Sequence, residues 1–178
     1  MAILKVARLG HPVLRAKALP VTPAEIPSAR IQQLIDDMFE TMHEYAGIGL
    51  AAPQVHESLR LFVAGVRRAD VVDPMTDDTD MPFIALINPE VVKSSGGWEP
   101  DEGCLSLPGY YANVKRFWAV SVKARDRKLR ELRIKGDGLL GQALQHELDH
   151  LNGVLFIDHL DSLEQLRKVS DEPTRVPS

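Results

Sequence analysis

One segment near the C-terminal end organises this chain: Gln-His-Glu-Leu-Asp-His-Leu-Asn-Gly at positions 145–153. It contains the pattern His-Glu-x-x-His. Because residues four apart lie on the same face of an α-helix, His146 and His150 can bind one metal ion. Glu147 follows the first histidine and can reach a water molecule on that ion. The pattern therefore predicts a metal-binding helix, which Gly153 would end.

A His-Glu-x-x-His pair needs a third protein ligand, whose identity decides the chemistry. Extended zinc peptidases place a third histidine six residues after the second. Here Phe156 is at that position, and His159 lies three residues later. Other peptidases take a glutamate from a later helix, for which Glu164 is the only downstream candidate before the terminal tail. Cys104, the only cysteine, is the remaining strong donor. A thiolate with two imidazoles is a known catalytic ligand set, which leaves one position on the metal open for water. A metallopeptidase therefore remains an alternative at this point.

Length and composition exclude several classes of protein. At 178 residues the chain predicts one domain over residues 1–178, with 171–178 as a flexible tail. A net charge of -4 provides no basic surface for nucleic acid. A single cysteine excludes an internal disulfide and fits a reducing compartment. The N-terminus lacks the apolar core of a secretion signal, and no apolar run approaches the ~20 residues that span a membrane.

Hydrophobic spacing predicts the secondary structure. Apolar residues recur at helical intervals over residues 31–45, which predicts a first helix with Ser28 as N-cap and Gly47 as its stop. A short helix over residues 161–169, capped by Asp161, is predicted after the metal helix. Strands are predicted at 59–66, at 83–87 with a continuation beyond a bulge at Asn88-Pro89, and in a hairpin of 114–124 with 131–134.

These elements predict an α+β fold. A mixed, mostly antiparallel set of short strands should wrap the central metal-binding helix, and the first helix should lie outside.

Two further segments have unusual local sequences. Positions 47–54 read Gly-Ile-Gly-Leu-Ala-Ala-Pro-Gln, and the two glycines allow backbone torsions that other residues forbid. By itself this segment is best interpreted as a connector from helix to strand, because it lacks the Gly-Lys-Ser/Thr of a phosphate loop. Positions 102–106 read Glu-Gly-Cys-Leu-Ser and contain Cys104, the candidate third ligand.

In this order the three motifs resemble those of peptide deformylase, the enzyme family that removes the formyl group from new bacterial proteins. Every defining position of Gly-x-Gly-Leu-Ala-Ala-x-Gln, Glu-Gly-Cys-Leu-Ser and Gln-His-Glu-x-Asp-His-Leu-x-Gly is matched. The resemblance extends from about Gly10 to about Leu160. It implies a hydrolase that releases formate from the N-terminal formyl-methionine of newly synthesised proteins.

The resemblance also implies a role for each motif residue. Three residues correspond to the ligands of one divalent metal ion: Cys104, His146 and His150. Three correspond to the groups that perform the chemistry: Glu147 as general base and acid, and Gln54 and the backbone N–H of Leu105 as donors to the oxyanion. Family members commonly use Fe²⁺, while Zn²⁺, Ni²⁺ and Co²⁺ can occupy the site, and thiolate and imidazole accept all of these ions. Because Glu147 and Gln54 are both present, a catalytically inactive relative acting as a binding module is disfavoured.

Specificity for methionine is expected from the metal helix. Three residues precede His146 by seven, four and three positions and therefore share its face: Leu139, Gln142 and Ala143. With Ile48 they can wall an apolar pocket, and Gly103 would let the backbone pass close to the metal. Tyr111 stands where many relatives carry an arginine near the peptide backbone. The full set of predicted substrate-binding residues is Gly47, Ile48, Gly49, Leu50, Glu102, Gly103, Leu139, Gln142 and Ala143.

The implied partners are nascent formylated polypeptides, with the ribosome as the place of encounter and no direct binding to nucleic acid or membrane. The chain after Leu160 is short, which disfavours docking to the ribosome through a long C-terminal helix. We expect a monomer of bacterial type in the cytoplasm.

Overall fold

The computed structural model describes residues 2–72 and 83–169. The larger of two sheets has five strands: β1 (Gly49–Ala51), β2 (Leu61–Gly65), β3 (Phe83–Ser95), β6 (Ala119–Arg125) and β7 (Glu131–Asp137). The smaller has three strands: β4 (Asp101–Cys104), β5 (Leu107–Asn113) and β8 (Arg167–Lys168). The strand orders are β1-β2-β3-β6-β7 and β4-β5-β8, and every pair in them is antiparallel. The α+β prediction is confirmed.

Helix α1 (Ala29–Glu44) begins as predicted, because the hydroxyl of Ser28 accepts a hydrogen bond from the N–H of Ile31 at 3.3 Å. It ends at Glu44, three residues before the predicted stop at Gly47, which takes part in the C-terminal cap. Ala46 takes the left-handed conformation, with φ of 53°, and the Gly47 N–H donates to the carbonyl of Met42 at 2.9 Å. This is the Schellman pattern with alanine in the position that glycine usually occupies.

The predicted strands are confirmed with shifted ends. Strand β3 continues past Asn88-Pro89 through a register shift between Ile87 and Glu90, as the bulge prediction requires. Strands β6 and β7 form the predicted hairpin, but the first of them starts at Ala119 rather than near position 114.

The two faces of the five-stranded sheet bury different helices, because side chains alternate along a strand. On β2, Leu61 and Val63 join a hydrophobic core with the apolar face of α1. Phe62 and Ala64 join a second core with Leu144 of the metal helix, which is helix α2 (Gly138–Leu151). The sheet therefore lies between α1 and the metal helix.

Helix α2 follows β7 without a linker and ends as predicted near Gly153. This glycine has φ of 72°, and an added Cβ would lie 2.5 Å from the carbonyl oxygen of Arg15. Only glycine fits both the backbone conformation and this close approach. In residues 2–72 and 83–169, neither helix is long and apolar enough to cross a membrane.

The short C-terminal helix predicted over residues 161–169 is wrong. Leu163–Gln165 form a single 3₁₀ turn capped by Ser162, not by Asp161, and the chain then enters β8. Tyr110 pairs with Lys168 in that ladder. Leu166, within the predicted helix, instead packs on the core around Phe156. The predicted flexible tail at 171–178 lies outside the described residues.

Candidate metal centre and active site

Helix α2 and the end of β4 bring the three predicted metal ligands to one point. Nε2 of His150 lies 3.1 Å from Nε2 of His146 and 3.4 Å from Sγ of Cys104. The three ligand atoms lie within 4.8 Å of one another, and all three side chains are buried. Ligand atoms around a tetrahedral zinc ion are roughly 3.3–3.6 Å apart, given bond lengths of about 2.0–2.3 Å. The cluster therefore fits one divalent metal ion.

The alternative third ligands are used elsewhere. The buried ring of Phe156 stacks on that of His146, with centroids 6.5 Å apart. Nε2 of His159 lies 2.7 Å from Oδ2 of Asp149, outside the cluster, and Glu164 is exposed in the 3₁₀ turn. Neither ligand set of the peptidase alternatives is formed by the part of the chain that the structure describes.

The two histidines of the cluster differ in their ionisation. Burial lowers the pKa of His146, but its interactions with Cys104 and with the Glu102 carboxylate outweigh burial and raise this pKa well above its ordinary value. For His150, burial and the charge on His146 together lower the pKa well below its ordinary value. Nδ1 of His146 lies 2.8 Å from Oε2 of Glu102, so its Nε2 is presented to the cluster.

Buried ion pairs hold Glu102 behind His146. The guanidinium of Arg116 donates to both carboxylate oxygens of Glu102, at 3.0 and 2.5 Å, and to Oδ2 of Asp149 at 2.7 Å. Burial raises the pKa of Glu102, but hydrogen bonds and charges from His146 and Arg116 outweigh it and lower this pKa to about 2. Glu102 is therefore an ionised group that orients a metal-ligand candidate.

Glu147 has the opposite environment. Its side chain is fully buried beside the cluster, and neither carboxylate oxygen has a hydrogen-bond partner among the described residues. Burial raises its pKa to about 7, against a smaller opposing effect of the charge on His146. Gly49 makes room for it, because an added Cβ would lie 2.8 Å from Oε1 of Glu147. A carboxyl group with a pKa near neutrality can both accept and donate a proton.

Gln54 and the turn after Cys104 lie beside the ligand cluster. Oε1 of the buried Gln54 accepts a hydrogen bond from the N–H of Ala51 at 3.0 Å. This contact directs Nε2 towards Sγ of Cys104 at 3.5 Å and Oγ of Ser106 at 3.3 Å. Leu105 is the first residue of the two-residue turn that joins β4 to β5. Both predicted oxyanion donors are thus adjacent to Cys104.

A cavity of about 240 Å³ adjoins His146. Six of the nine predicted substrate-binding residues line it: Ile48, Glu102, Gly103, Leu139, Gln142 and Ala143. Asp101 and Tyr111 complete its wall; Asp101 was not predicted, whereas Tyr111 was noted at a position near the peptide backbone. The amide of Gln142 donates to the carbonyl of Asp101 at 2.9 Å, so it ties α2 to β4 across this cavity.

The other three predicted substrate-binding residues lie outside the cavity. Gly47 closes the end of α1, Gly49 faces Glu147, and the side chain of Leu50 is in the hydrophobic core. Gly103 lines the cavity, but a Cβ on it would lie 2.6 Å from the ring of Tyr111. The ring of Tyr111 is therefore the close neighbour that requires glycine at this position.

Sequence reasoning missed two charged residues behind the cluster, Arg116 and Asp149. Asp149 lies inside the metal motif, and its place one residue before His150 was a usable signal. Arg116 has no such signal, because a lone arginine is ordinarily a surface residue, whereas its side chain here is only 3% exposed.

A buried thiol and two buried imidazoles beside an unpartnered carboxyl group, within the described residues, form a site of the kind used by metal-dependent hydrolases. The comparisons with known proteins give the family. The family model for polypeptide deformylase matches residues 3–166. A peptide deformylase from Dehalococcoides mccartyi (strain CBDB1) is 45% identical over 172 residues, which cover 97% of this chain and 95% of that protein.

Similar solved structures are also peptide deformylases. The crystal structure of a peptide deformylase from Legionella pneumophila has a TM-score of 0.79 and 44% identity, covering 92% of this chain and 89% of that one. A Met-Ala-Ser-bound class I type b peptide deformylase from Acinetobacter baumannii has a TM-score of 0.79 and 34% identity, covering 89% and 99%. The chain belongs to the peptide deformylase family, metal-dependent hydrolases that remove the N-formyl group from nascent peptides.

Proposed function

We propose that Cys104, His146 and His150 bind the metal ion, and that Glu147 transfers the protons, as this chain releases formate from formyl-methionyl polypeptides. The observation that carries the proposal is the position of the unpartnered Glu147 carboxyl beside three convergent ligand atoms, among the described residues. The native ion is Fe²⁺ on this proposal, and Zn²⁺, Ni²⁺ or Co²⁺ can replace it, because all accept thiolate and imidazole. When bound, such an ion supplies a water nucleophile whose pKa is lowered from ~15.7 towards ~7.

Glu147 performs the proton transfers. With a pKa of about 7, its carboxylate takes a proton from water as the oxygen attacks the formyl carbon. The same carboxyl group then gives the proton to the amine nitrogen as the C–N bond breaks. The products are formate and a polypeptide with a free N-terminal methionine.

Gln54 and Leu105 stabilise the negative charge that develops on the formyl oxygen. Oε1 of Gln54 is bound by the N–H of Ala51, so its Nε2 is the group available to the substrate. At 3.3 and 3.5 Å, its present contacts with Ser106 and Cys104 are longer than strong hydrogen bonds and can be exchanged for the oxyanion. Removing one donor of this kind typically costs ~3 kcal/mol of transition-state stabilisation.

The methionine side chain enters the cavity beside His146, between Ile48, Leu139 and Ala143. An extended peptide runs beside strand β1, whose neighbour in the described sheets is β2. In this arrangement Gly47, Gly49 and Leu50 contribute backbone groups, which accounts for a Leu50 side chain that lies in the core. The Met-Ala-Ser complex of the Acinetobacter baumannii relative supports a short peptide with N-terminal methionine as the ligand.

The chain functions on this proposal as one catalytic domain and as a monomer in the cytoplasm, where it meets nascent chains at the ribosome. The net charge of -4 and the absence of an apolar membrane-crossing helix among the described residues support a role on polypeptides rather than on nucleic acid or lipid.

The test is formate release from formyl-Met-Ala-Ser, with metal content measured on the same samples. We expect formate to form in proportion to bound metal, up to one ion per chain. Unformylated Met-Ala-Ser serves as the control, because a metallopeptidase would cleave it and a deformylase would not. Metal-loaded protein that releases no formate would contradict the proposal.

A further inference from the structure

The N-terminal arm contacts both segments that carry the proposed oxyanion donors. The N–H of Ala7 donates to the carbonyl of Gln54 at 2.7 Å, and the N–H of Leu9 donates to the carbonyl of Ser106 at 2.9 Å. Between them, Nη1 of Arg8 donates to the carbonyl of Leu105. Three consecutive residues of the arm thus bind the backbone around the metal centre, from a sequence distance of 97 residues in the case of Arg8.

The peptide group between Leu105 and Ser106 links Arg8 to Cys104. Its carbonyl oxygen accepts the hydrogen bond from Arg8, and its N–H donates to Sγ of Cys104 at 3.4 Å. The two groups lie on opposite sides of one rigid plane, because a peptide bond is planar and trans. A rotation of this plane that broke the Arg8 contact would also turn the N–H away from the sulfur.

We propose that Arg8 is a positioning residue that acts through the Leu105–Ser106 peptide group on the Cys104 sulfur. The proposal rests on the proposed function, in which that sulfur is a metal ligand. Hydrogen bonds to ligand atoms tune a metal centre, and those to a thiolate withdraw electron density from it. A cationic donor on the carbonyl strengthens the N–H of the same peptide group, because linked hydrogen bonds polarise one another.

Arg8 donates to a backbone carbonyl and does not share its charge with a carboxylate. Among the described residues, no aspartate or glutamate forms an ion pair with Arg8. Arg30 gives the contrast, since it is also an exposed arginine but pairs with Glu57 at 2.9 Å. Arg8 therefore holds a backbone carbonyl next to the cluster with a full charge, while Arg30 is an ordinary surface ion pair.

The experiment compares Arg8→Met, which keeps the apolar stem and removes the donors, with Arg8→Lys and the control Arg30→Met. Each protein is loaded with Co²⁺, and the thiolate-to-cobalt absorption band, the Co²⁺ dissociation constant, kcat and KM are measured. In Arg8→Met we expect the band to move to longer wavelength, because a thiolate with weaker hydrogen bonds gives up its electrons more easily. We also expect Co²⁺ affinity and kcat to fall about 3- to 10-fold with KM unchanged, because the Leu105–Ser106 peptide group no longer holds the sulfur in position and this loss outweighs the stronger donation.

Arg8→Lys should recover part of the change, since an ammonium group still donates to a carbonyl, and Arg30→Met should match the parent. A folded Arg8→Met protein with the parent's band and Co²⁺ affinity would overturn the proposal while leaving the proposed function intact. A parent protein without a thiolate-to-cobalt band would overturn the ligand set, and with it both proposals.

Discussion

Glu102 and Glu147 are two buried carboxyl groups at the candidate metal centre, and their surroundings give them opposite properties. Glu102 accepts hydrogen bonds from Arg116 and Gln142 and contacts Nδ1 of His146, and its pKa falls to about 2. Glu147 has no hydrogen-bond partner in the described part of the chain, and burial raises its pKa to about 7. The same side chain is thus held permanently charged in one place and close to titration in the other.

On the proposed function, this difference separates a positioning residue from a catalytic one. A carboxylate that is ionised at every working pH can orient a ligand but cannot exchange protons at neutral pH. A carboxyl group without partners has its full hydrogen-bonding capacity left for water and substrate, at the cost of its desolvation. Pairs of carboxyl groups whose pKa values are pushed apart in this way commonly divide the two tasks between them.

The largest expected effect is on stability, and the two residues should give opposite pH dependences in the metal-free protein. The folded pKa of Glu102 is below its ordinary 4.5, so its stabilising contribution is present above pH 4.5 and lost as the pH falls towards about 2. The folded pKa of Glu147 is above 4.5, so stability is lost as the pH rises from 4.5 through about 7. Each shift corresponds to about 3 kcal/mol.

Urea unfolding of the parent, Glu102→Gln and Glu147→Gln proteins between pH 3 and 8 measures this. The difference in free energy of unfolding between the parent and Glu147→Gln should change with pH above pH ~4.5. The difference between the parent and Glu102→Gln should change with pH below pH ~4.5. Parallel curves for all three proteins would mean that neither carboxyl group has a displaced pKa.

Gly49→Ala should displace the Glu147 carboxyl and leave the surroundings of Glu102 unchanged. The added Cβ would lie 2.8 Å from Oε1 of the fully buried Glu147, so this carboxyl group would have to shift. Overpacking of this kind costs about 1–3 kcal/mol, so we expect kcat to fall about 10- to 100-fold with bound metal retained. The matched control is Gly103→Ala, whose Cβ meets the ring of Tyr111 in the substrate cavity and should change KM instead. Equal changes of kcat and KM in the two variants would remove the distinction.

The smallest effect concerns substrate choice on the Glu102 side, where the cavity lies. Ala143 is 3% exposed in its wall, so Ala143→Leu should occupy space meant for methionine and lower kcat/KM for formyl-Met relative to formyl-Ala peptides about 10-fold. Gln142→Leu, one residue earlier, removes a tie to Asp101 and should leave this ratio nearly unchanged. A large change of the ratio in Gln142→Leu, with none in Ala143→Leu, would mean that the pocket faces the other way.

The sequence was sufficient for the parts of the site that lie in contiguous motifs. The spacing of His146 and His150 follows from helix geometry alone, and the search for a third ligand led to Cys104. The order of the three motifs then supplied the family and the fold. Strand positions were also readable, because β2 and β3 are apolar segments bounded by turn residues.

The rest depended on tertiary contacts between distant segments. From the sequence Arg116 would be taken for a surface residue. In the fold, β4 and α2 bury it with Glu102 and Asp149. From the sequence, Gly103 was expected to let the backbone pass close to the metal. The fold shows that the ring of Tyr111, on the neighbouring strand, is the group that leaves no room for a Cβ. A short helix was predicted over residues 161–169, but Leu163–Gln165 form a 3₁₀ turn and the pairing of Tyr110 with Lys168 makes the residues after that turn a strand. Local propensity is a weak guide where a sheet edge offers hydrogen bonds.

The most direct test of the division between the two carboxyl groups is a paired measurement of metal content and formate release in Glu147→Gln and Glu102→Gln. Glu147→Gln should keep about one ion per chain and lose formate release by about 10²- to 10⁴-fold. Glu102→Gln should bind the ion about 10- to 100-fold more weakly and recover much of its activity when metal is in excess. An empty site in folded Glu147→Gln, or undiminished metal affinity in Glu102→Gln, would contradict the account.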